Sequence, residues 1–321
     1  MKELKAIPFL VIFCTILVPL AFFRIAQESG STSAMSVTEK ETITTESGVR
    51  LAIPVLFSDG VVSEMELEEY VTAVVLREMP ADFEIEALKA QAVVARTYAL
   101  RRHLRGGKHE NATVCTDPSC CQGYYSPSEY LKNGGADDML EKVNRAVTDT
   151  QGRVLTYNDE LVEATYFSCS GGQTEDAKAV WGTDIPYLQS TESPGEENAT
   201  HFTDTVVYTS SEFQQLLGRQ LQGLPGSWFG SISYTNGGGV DTIEICGKVY
   251  HGTELRKYLG LRSTAFLISA VGNSITITTK GFGHRVGMSQ YGADVMAVDG
   301  YSYAEILAHY YTGTELKCII N

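Results

Sequence analysis

Leu67, Val71 and Val74 recur at spacings of four and three, the stripe of a helix that buries one face. Ser63, with Glu66 three residues on, reads as a capping box that would start this helix. The next position on the stripe is Glu78, where a buried face wants an apolar residue and an unpartnered carboxylate would be costly. Pro80 disfavours helical geometry at Met79, so the helix is predicted to end near Glu78. The negative end of the helix and the neighbouring Val74, Val75 and Met79 would both raise the carboxyl pKa there, as a general acid requires at neutral pH. The bland alternative is a helix-end carboxylate paired with an arginine. A second, longer helix follows, with Asp82 as its expected N-cap and Ile85, Leu88, Ala92, Ala95 and Ala99 along its stripe. Its alanines would let another helix approach closely. Arg96, at the edge of that stripe, is placed to reach a buried acid or an anionic ligand.

Elsewhere the pattern changes period. Val49, Leu51, Ile53, Val55 and Phe57 alternate as a strand, with Asp59–Gly60 as the turn into the first helix. Residues 136–150 read as another helix, and 154–165 as a hairpin turning at Asn158–Asp159. Residues 186–200 read as a surface loop. From Phe202 to Ile277 short strands alternate with helical pieces at Ser210–Leu221 and Gly252–Leu259, a scaffold or second lobe. Gly281–Ala293 is a Gly-rich turn leading into a helix, without the spacing of a phosphate loop. The expected fold is mixed α+β, in one large domain or two lobes over 48–321.

Before that domain lie two segments of different character. Ile7–Phe23 is an apolar run preceded by Lys2 and Lys5, so 1–25 reads as a cytoplasmic tail and single transmembrane anchor, with everything after Arg24 on the far side of the membrane. A cleaved signal peptide is the alternative, but no Ala-x-Ala site follows. Residues 26–47 are rich in Ser, Thr and Glu and read as a flexible stalk. Composition is globular, at 43% hydrophobic and 20% charged, and a formal net charge of -14 argues against nucleic acid or an anionic lipid surface as partner.

His109, Cys115, Cys120 and Cys121 put four metal-capable side chains in one short segment that Gly106, Gly107 and Pro118 can bend. They fit a local zinc site, or else a disulfide loop joining Cys115 to Cys120 or Cys121. With four protein ligands and no His-Glu-x-x-His helix, a zinc peptidase is disfavoured. Cys14, Cys246 and Cys318 read as buried thiols, whereas Cys169 in its Gly-rich loop is a candidate nucleophile. The Ser168–Gly172 loop offers hydroxyls and close backbone approach for a polar ligand such as a sugar, or is an ordinary turn. His284 is placed to orient a sugar hydroxyl or the acid, or is a satisfied structural histidine.

Four stretches carry a resemblance that runs through most of the chain after residue 48. Arg77-Glu-Met-Pro-Ala81 with Glu86-Ala-Leu-Lys-Ala-Gln-Ala-Val-Val-Ala-Arg-Thr-Tyr98, Ser168–Glu175, Trp181–Ser190 and Gly283–Ala293 together resemble the stage II sporulation protein D family, peptidoglycan lytic transglycosylases of endospore-forming bacteria. The resemblance implies that Glu78 is the catalytic acid and base. It implies substrate-binding roles for Arg96, Tyr98, Ser168, Gly171, Gly172, Tyr187, His284 and Gln290. It also favours zinc, in a structural role, at His109, Cys115, Cys120 and Cys121, since some members bind it here through two His and two Cys; Cys120 stands where those members carry the second His. Members usually have a hydroxyl residue at the place of Cys169, which argues against a catalytic thiol, and Gly at the place of Arg285. The implied setting is engulfment, between mother cell and forespore membranes. The implied partners are glycan strands stripped of peptides, a companion amidase and a multispanning membrane protein.

Two kinds of function fit these residues. A hydrolytic glycosidase generally shows two working carboxylates. This chain presents one in a perturbed setting, which suits a lytic transglycosylase, where the substrate's own 6-hydroxyl attacks and leaves a 1,6-anhydro end. The alternative is a glycan-binding module without catalysis, since the resembled domain also occurs in amidase enhancers.

Overall fold

The computed structural model describes residues 51–319; the apolar run and the stalk lie outside the described residues. Among the described residues no helix is long and apolar enough to cross a membrane. The chain opens with strands β1 (Ala52–Leu56) and β2 (Val62–Glu66), then helices α1 (Leu67–Glu78) and α2 (Ile85–Leu104). Ser63 and Glu66 thus belong to a strand rather than a cap. The antiparallel ladder with β1, pairing Val55 with Ser63 and Ala52 with Glu66, takes up their backbone, and α1 starts without a side-chain cap. Asp59–Gly60 does turn the chain, but into β2. Asp82 is no N-cap either: it sits in the turn closed by Phe83 N–H to the Pro80 carbonyl, and α2 begins after Glu84, whose N–H donates to Asp294.

α2 is buried far more completely than one stripe requires, from Ala90 to Leu100 without a break. Its alanines explain this, because Ala87, Ala90, Ala92, Ala95 and Ala99 let neighbours pack close on several sides. Those neighbours are α1, α4 (Asp137–Asp149, after the short α3, Pro127–Lys132), β4 (Arg153–Tyr157) and two helices near the C-terminus. The segment after α2 adds β3 (Val114–Cys115) parallel to β1. β4 turns into β5 (Glu160–Leu161) through Asn158 and Asp159, both at positive φ (51° and 66°), the hairpin the sequence predicts. Then come β6 (Tyr166–Phe167) and the short helix α5 (Ala177–Trp181).

A second core is built by residues 203–280. It comprises β7 (Thr203–Thr209), α6 (Ser210–Leu217), β8 (Phe229–Tyr234), β9 (Val240–Ile245), β10 (Lys248–His251), α7 (Gly252–Tyr258), β11 (Phe266–Val271) and β12 (Ser274–Lys280). Two antiparallel sheets, β11-β12-β7 and β10-β9-β8, close on Phe213, Trp228, Ile243, Leu255 and Ile277. The chain then returns to the first core through β13 (Met288–Ser289), parallel to β6, α8 (Gln290–Val298), α9 (Tyr303–Tyr310) and β14 (Glu315–Cys318) on the edge of β4. The architecture is the expected α+β, with the second core inserted as a lobe. Two of the thiols expected to be buried are not: Cys246 is half-buried in the β9–β10 turn and Cys318 is exposed.

Candidate active site

α1 ends where Pro80 dictates. Met79 is extended (φ −128°, ψ 137°), and the last helical residue, Glu78, turns its carboxyl into a cleft of about 450 Å3. Tyr98, Cys121, Gln122, Tyr166, Ser168, His284 and Gln290 are among its walls, and among the described residues Glu78 is the one carboxylate on them. Gln290 Nε2 donates to the Glu78 carbonyl at 2.9 Å, tying the open helix end to the start of α8. Gly123 N–H donates to Glu78 Oε1. A Cβ there would stand 2.6 Å from Arg77 Cγ and 2.8 Å from Glu78 Oε1, so a larger residue would push the carboxyl aside.

A polar chain reaches the same carboxyl from behind. Tyr70 on α1 donates to Gln122 Oε1 at 3.2 Å, and Gln122 Nε2 donates to the Tyr166 hydroxyl at 3.2 Å. The Tyr166 hydroxyl comes close enough to the Glu78 carboxyl to favour its charged form. Desolvation raises the Glu78 pKa above the usual carboxylate value; the Gly123 amide, the Arg77 charge and the Tyr166 hydroxyl pull against it without cancelling it. Burial, with the Glu78 charge next, pushes the Tyr166 hydroxyl well above its ordinary value, so it stays a donor.

His284 lies on the cleft wall with Nδ1 accepting from Val286 N–H at 3.1 Å, which leaves Nε2 to carry the proton of the neutral ring. Burial, and then the Arg256 charge, push its pKa down to about 4. Arg285 follows in the left-handed conformation (φ 65°) that glycine would adopt without strain. Its guanidinium is buried and donates to the carbonyls of Ser170 (2.7 Å), Gln173 (2.7 Å) and Gly237 (2.6 Å), and to Glu175 at 3.2 Å. Glu175 also accepts from Thr235 and the Gly239 amide, so this pair joins the cleft loops to the β8–β9 turn of the second lobe.

The structure does not bring all the expected residues to the cleft. Arg96 is fully buried and absent from its walls; it binds Glu68 through Nε (2.9 Å) and NH2 (2.6 Å) and donates to the Arg153 carbonyl (3.1 Å). Its donors are spent on α1 and the α4–β4 junction, so a substrate contact is corrected to a structural ion pair. Tyr187 stands away from the walls, accepting from Glu163 N–H at 2.9 Å with its ring against Tyr157. Gly171 and Gly172 are not among the cleft walls, which Ser168 does line. Gly171 is at φ +78°, where a Cβ would stand 2.8 Å from the Gly281 nitrogen. Cys169 is buried, and burial with the nearby Glu196 pushes its thiol up to about 12, which removes it as a nucleophile. The sequence reading missed Gln122, Gly123 and Tyr166, whose roles arise only when distant segments meet.

His109, Cys115, Cys120 and Cys121 converge on one flank, their ligand atoms within 4.8 Å of one another. The three cysteines are free thiols, with Cys120 and Cys121 sulfurs 4.0 Å apart and His109 Nε2 3.8 and 3.5 Å from them. Zinc bonds of about 2.0–2.1 Å to nitrogen and about 2.3 Å to sulfur give tetrahedral edges of roughly 3.5–3.8 Å, so the donor set fits a metal ion. Cys121 also lines the cleft, and Gln122 and Gly123 follow it directly.

Comparison with known proteins adds to this geometry. A family model described as stage II sporulation protein matches residues 58–157, which contain Glu78 and all four metal-capable residues. A curated stage II sporulation protein D of Bacillus subtilis is 43% identical over 261 residues, 80% of this chain and 76% of that protein. The chain belongs to the stage II sporulation protein D family. The stage II sporulation protein D of Bacillus amyloliquefaciens is likewise 43% identical, over 81% of this chain and 76% of its own. The amidase enhancer of Bacillus subtilis is 28% identical over 303 residues, 76% of this chain and 39% of that longer protein.

Proposed function

We propose that this member of the stage II sporulation protein D family is a membrane-anchored lytic transglycosylase. It cuts peptidoglycan between N-acetylmuramic acid and N-acetylglucosamine during engulfment. The observation that carries this reading is Glu78, a carboxylate with a raised pKa at the end of α1 in a cleft where, among the described residues, no second carboxylate lines the walls. A glycosidase that activates water or forms a glycosyl intermediate generally uses two. One suffices if the nucleophile is the muramic acid 6-hydroxyl.

Protonated Glu78 gives its proton to the glycosidic oxygen as the bond to the anomeric carbon breaks. The carboxylate so formed, held by the Gly123 amide and Tyr166, takes the proton of the 6-hydroxyl as that oxygen attacks the anomeric carbon. A 1,6-anhydro end results and Glu78 is protonated again. Neutral His284 lies on the cleft wall, where its ring can meet a sugar. At the thiol and imidazole cluster, zinc held by His109, Cys115, Cys120 and Cys121 would fill its coordination with protein ligands and brace the loop that carries Gln122 and Gly123.

In this reading the apolar run at Ile7–Phe23 anchors the chain, with its C-terminal domain between the mother cell and forespore membranes. Its partners are peptide-stripped strands, the companion amidase and the multispanning membrane protein. The second reading, a glycan-binding enhancer of an amidase, draws support from the amidase enhancer among the relatives. Glu78→Gln separates the two. It keeps the shape but removes the proton and the later base, so strand binding should persist while cleavage falls by at least roughly a hundredfold. Undiminished cleavage would remove Glu78 as the acid.

A further inference from the structure

The chain has two tryptophans, and they sit in opposite environments. Trp228 is buried in the second core against Phe213, its indole N–H donating to the carbonyls of Gln222 and Gly223. Trp181, the last residue of α5, is 42% exposed. Its ring lies 5.5 Å from that of His284, tilted by 55°. His284 in turn meets Phe167 at 5.7 Å, and both His284 and Phe167 line the cleft. The three rings form a continuous aromatic band that begins inside the cleft and ends in solvent at its rim. Gly182 then closes α5 in the left-handed conformation, with open space beside it.

A large aromatic ring gains from burial, and this one, joined through His284 to the cleft wall, is placed where a ligand in the cleft could cover it. A pyranose ring answers in shape and polarity. One face presents C–H groups that pack on an indole, while the hydroxyls at its perimeter stay in water or meet polar groups. The band itself carries no charge, since Trp181 and Phe167 are neutral and His284 is neutral at ordinary pH. We propose that Trp181 is the platform of an additional sugar subsite, stacking on a pyranose ring of the glycan strand outside the bond presented to Glu78. This rests on the glycan-strand reading given above.

The test is tryptophan emission of the full chain in detergent, carrying Glu78→Gln so that binding is read without cleavage, titrated with peptide-free glycan strands from purified sacculi. Buried Trp228 gives a constant background, so a saturable change in emission reports Trp181. The expected result is that change, together with a dissociation constant from sedimentation of strands that weakens about tenfold in Trp181→Ala, equivalent to about 1.4 kcal/mol. Trp181→Phe, which keeps a ring, should recover part of the loss. Unchanged circular dichroism and melting would show that the fold is intact. Strands bound as tightly by Trp181→Ala as by the parent, or emission flat while sedimentation shows saturation, would overturn the subsite. Trp181-dependent binding in a protein whose wild type cuts no strands would leave the subsite standing and remove the enzymatic reading. Strands bound by neither form would remove both.

Discussion

A tyrosine hydroxyl that accepts from an amide N–H has its own proton left to give, and at Tyr166 that proton faces Glu78. Tyr166 therefore acts through the acid, holding its charged form between the two proton transfers. Since the acid must begin protonated, cleavage should be lost as pH rises through the Glu78 pKa. That limb should lie above the usual carboxylate range, because desolvation raises the pKa. Tyr166→Phe removes a donor to the carboxylate, so the limb should move to still higher pH while the maximal rate falls. A pH–rate profile with an unmoved limb would exclude this role. Glu78 was legible in the sequence because both of its signals, the helical period and Pro80, are local. Tyr166 was not, because its role needs β6 brought beside the end of α1. For Arg96 the sequence left an acid and an anionic ligand both open; α2 proves to be buried on several sides, and the acid, Glu68, is the partner it meets.

At the scale of elements, the segment from His109 to Gly123 joins the metal-capable cluster to the acid. Cys121 belongs to the cluster and lines the cleft, and the next two residues supply Gln122 and the Gly123 amide. Elemental analysis of purified protein should find one zinc per chain. Cys121→Ser should release it and lower the melting temperature, and chelation should do the same to the wild type. Metal-free protein with unchanged melting, or a native disulfide at Cys115, would contradict the assignment. Spacing picked out the four candidate residues but left zinc and a disulfide loop both open, and their convergence depends on β3 lying parallel to β1. Turn chemistry was equally readable at Asn158–Asp159, where two residues tolerant of positive φ fix the hairpin. Cap chemistry misled at Ser63 and Asp82, because a β ladder and a Pro80 turn took those backbones first.

At the largest scale the described residues form two cores whose junction runs through the cleft loops. The Arg262 carbonyl of the second lobe accepts from Gly283 N–H, and the Arg285–Glu175 pair reaches the β8–β9 turn. Arginine at a left-handed position looks like strain, worth about 1–2 kcal/mol. Removing it, however, leaves Glu175 buried without its charge partner. Arg285→Gly should therefore destabilise by a net amount on the order of 2–4 kcal/mol, with part recovered in the double variant that adds Glu175→Gln. Denaturant unfolding in which Arg285→Gly matches or exceeds the wild type would show that strain, not pairing, dominates. The insertion of a second lobe was visible in the sequence as a run of short strands, but not this staple, which joins residues far apart in the chain. What the assembled cleft does is tested most directly by mass spectrometry of the fragments released from peptide-free glycan strands. The account predicts 1,6-anhydro muramic acid ends with wild type and none with Glu78→Gln; reducing ends, or intact strands after incubation with wild type, would contradict it.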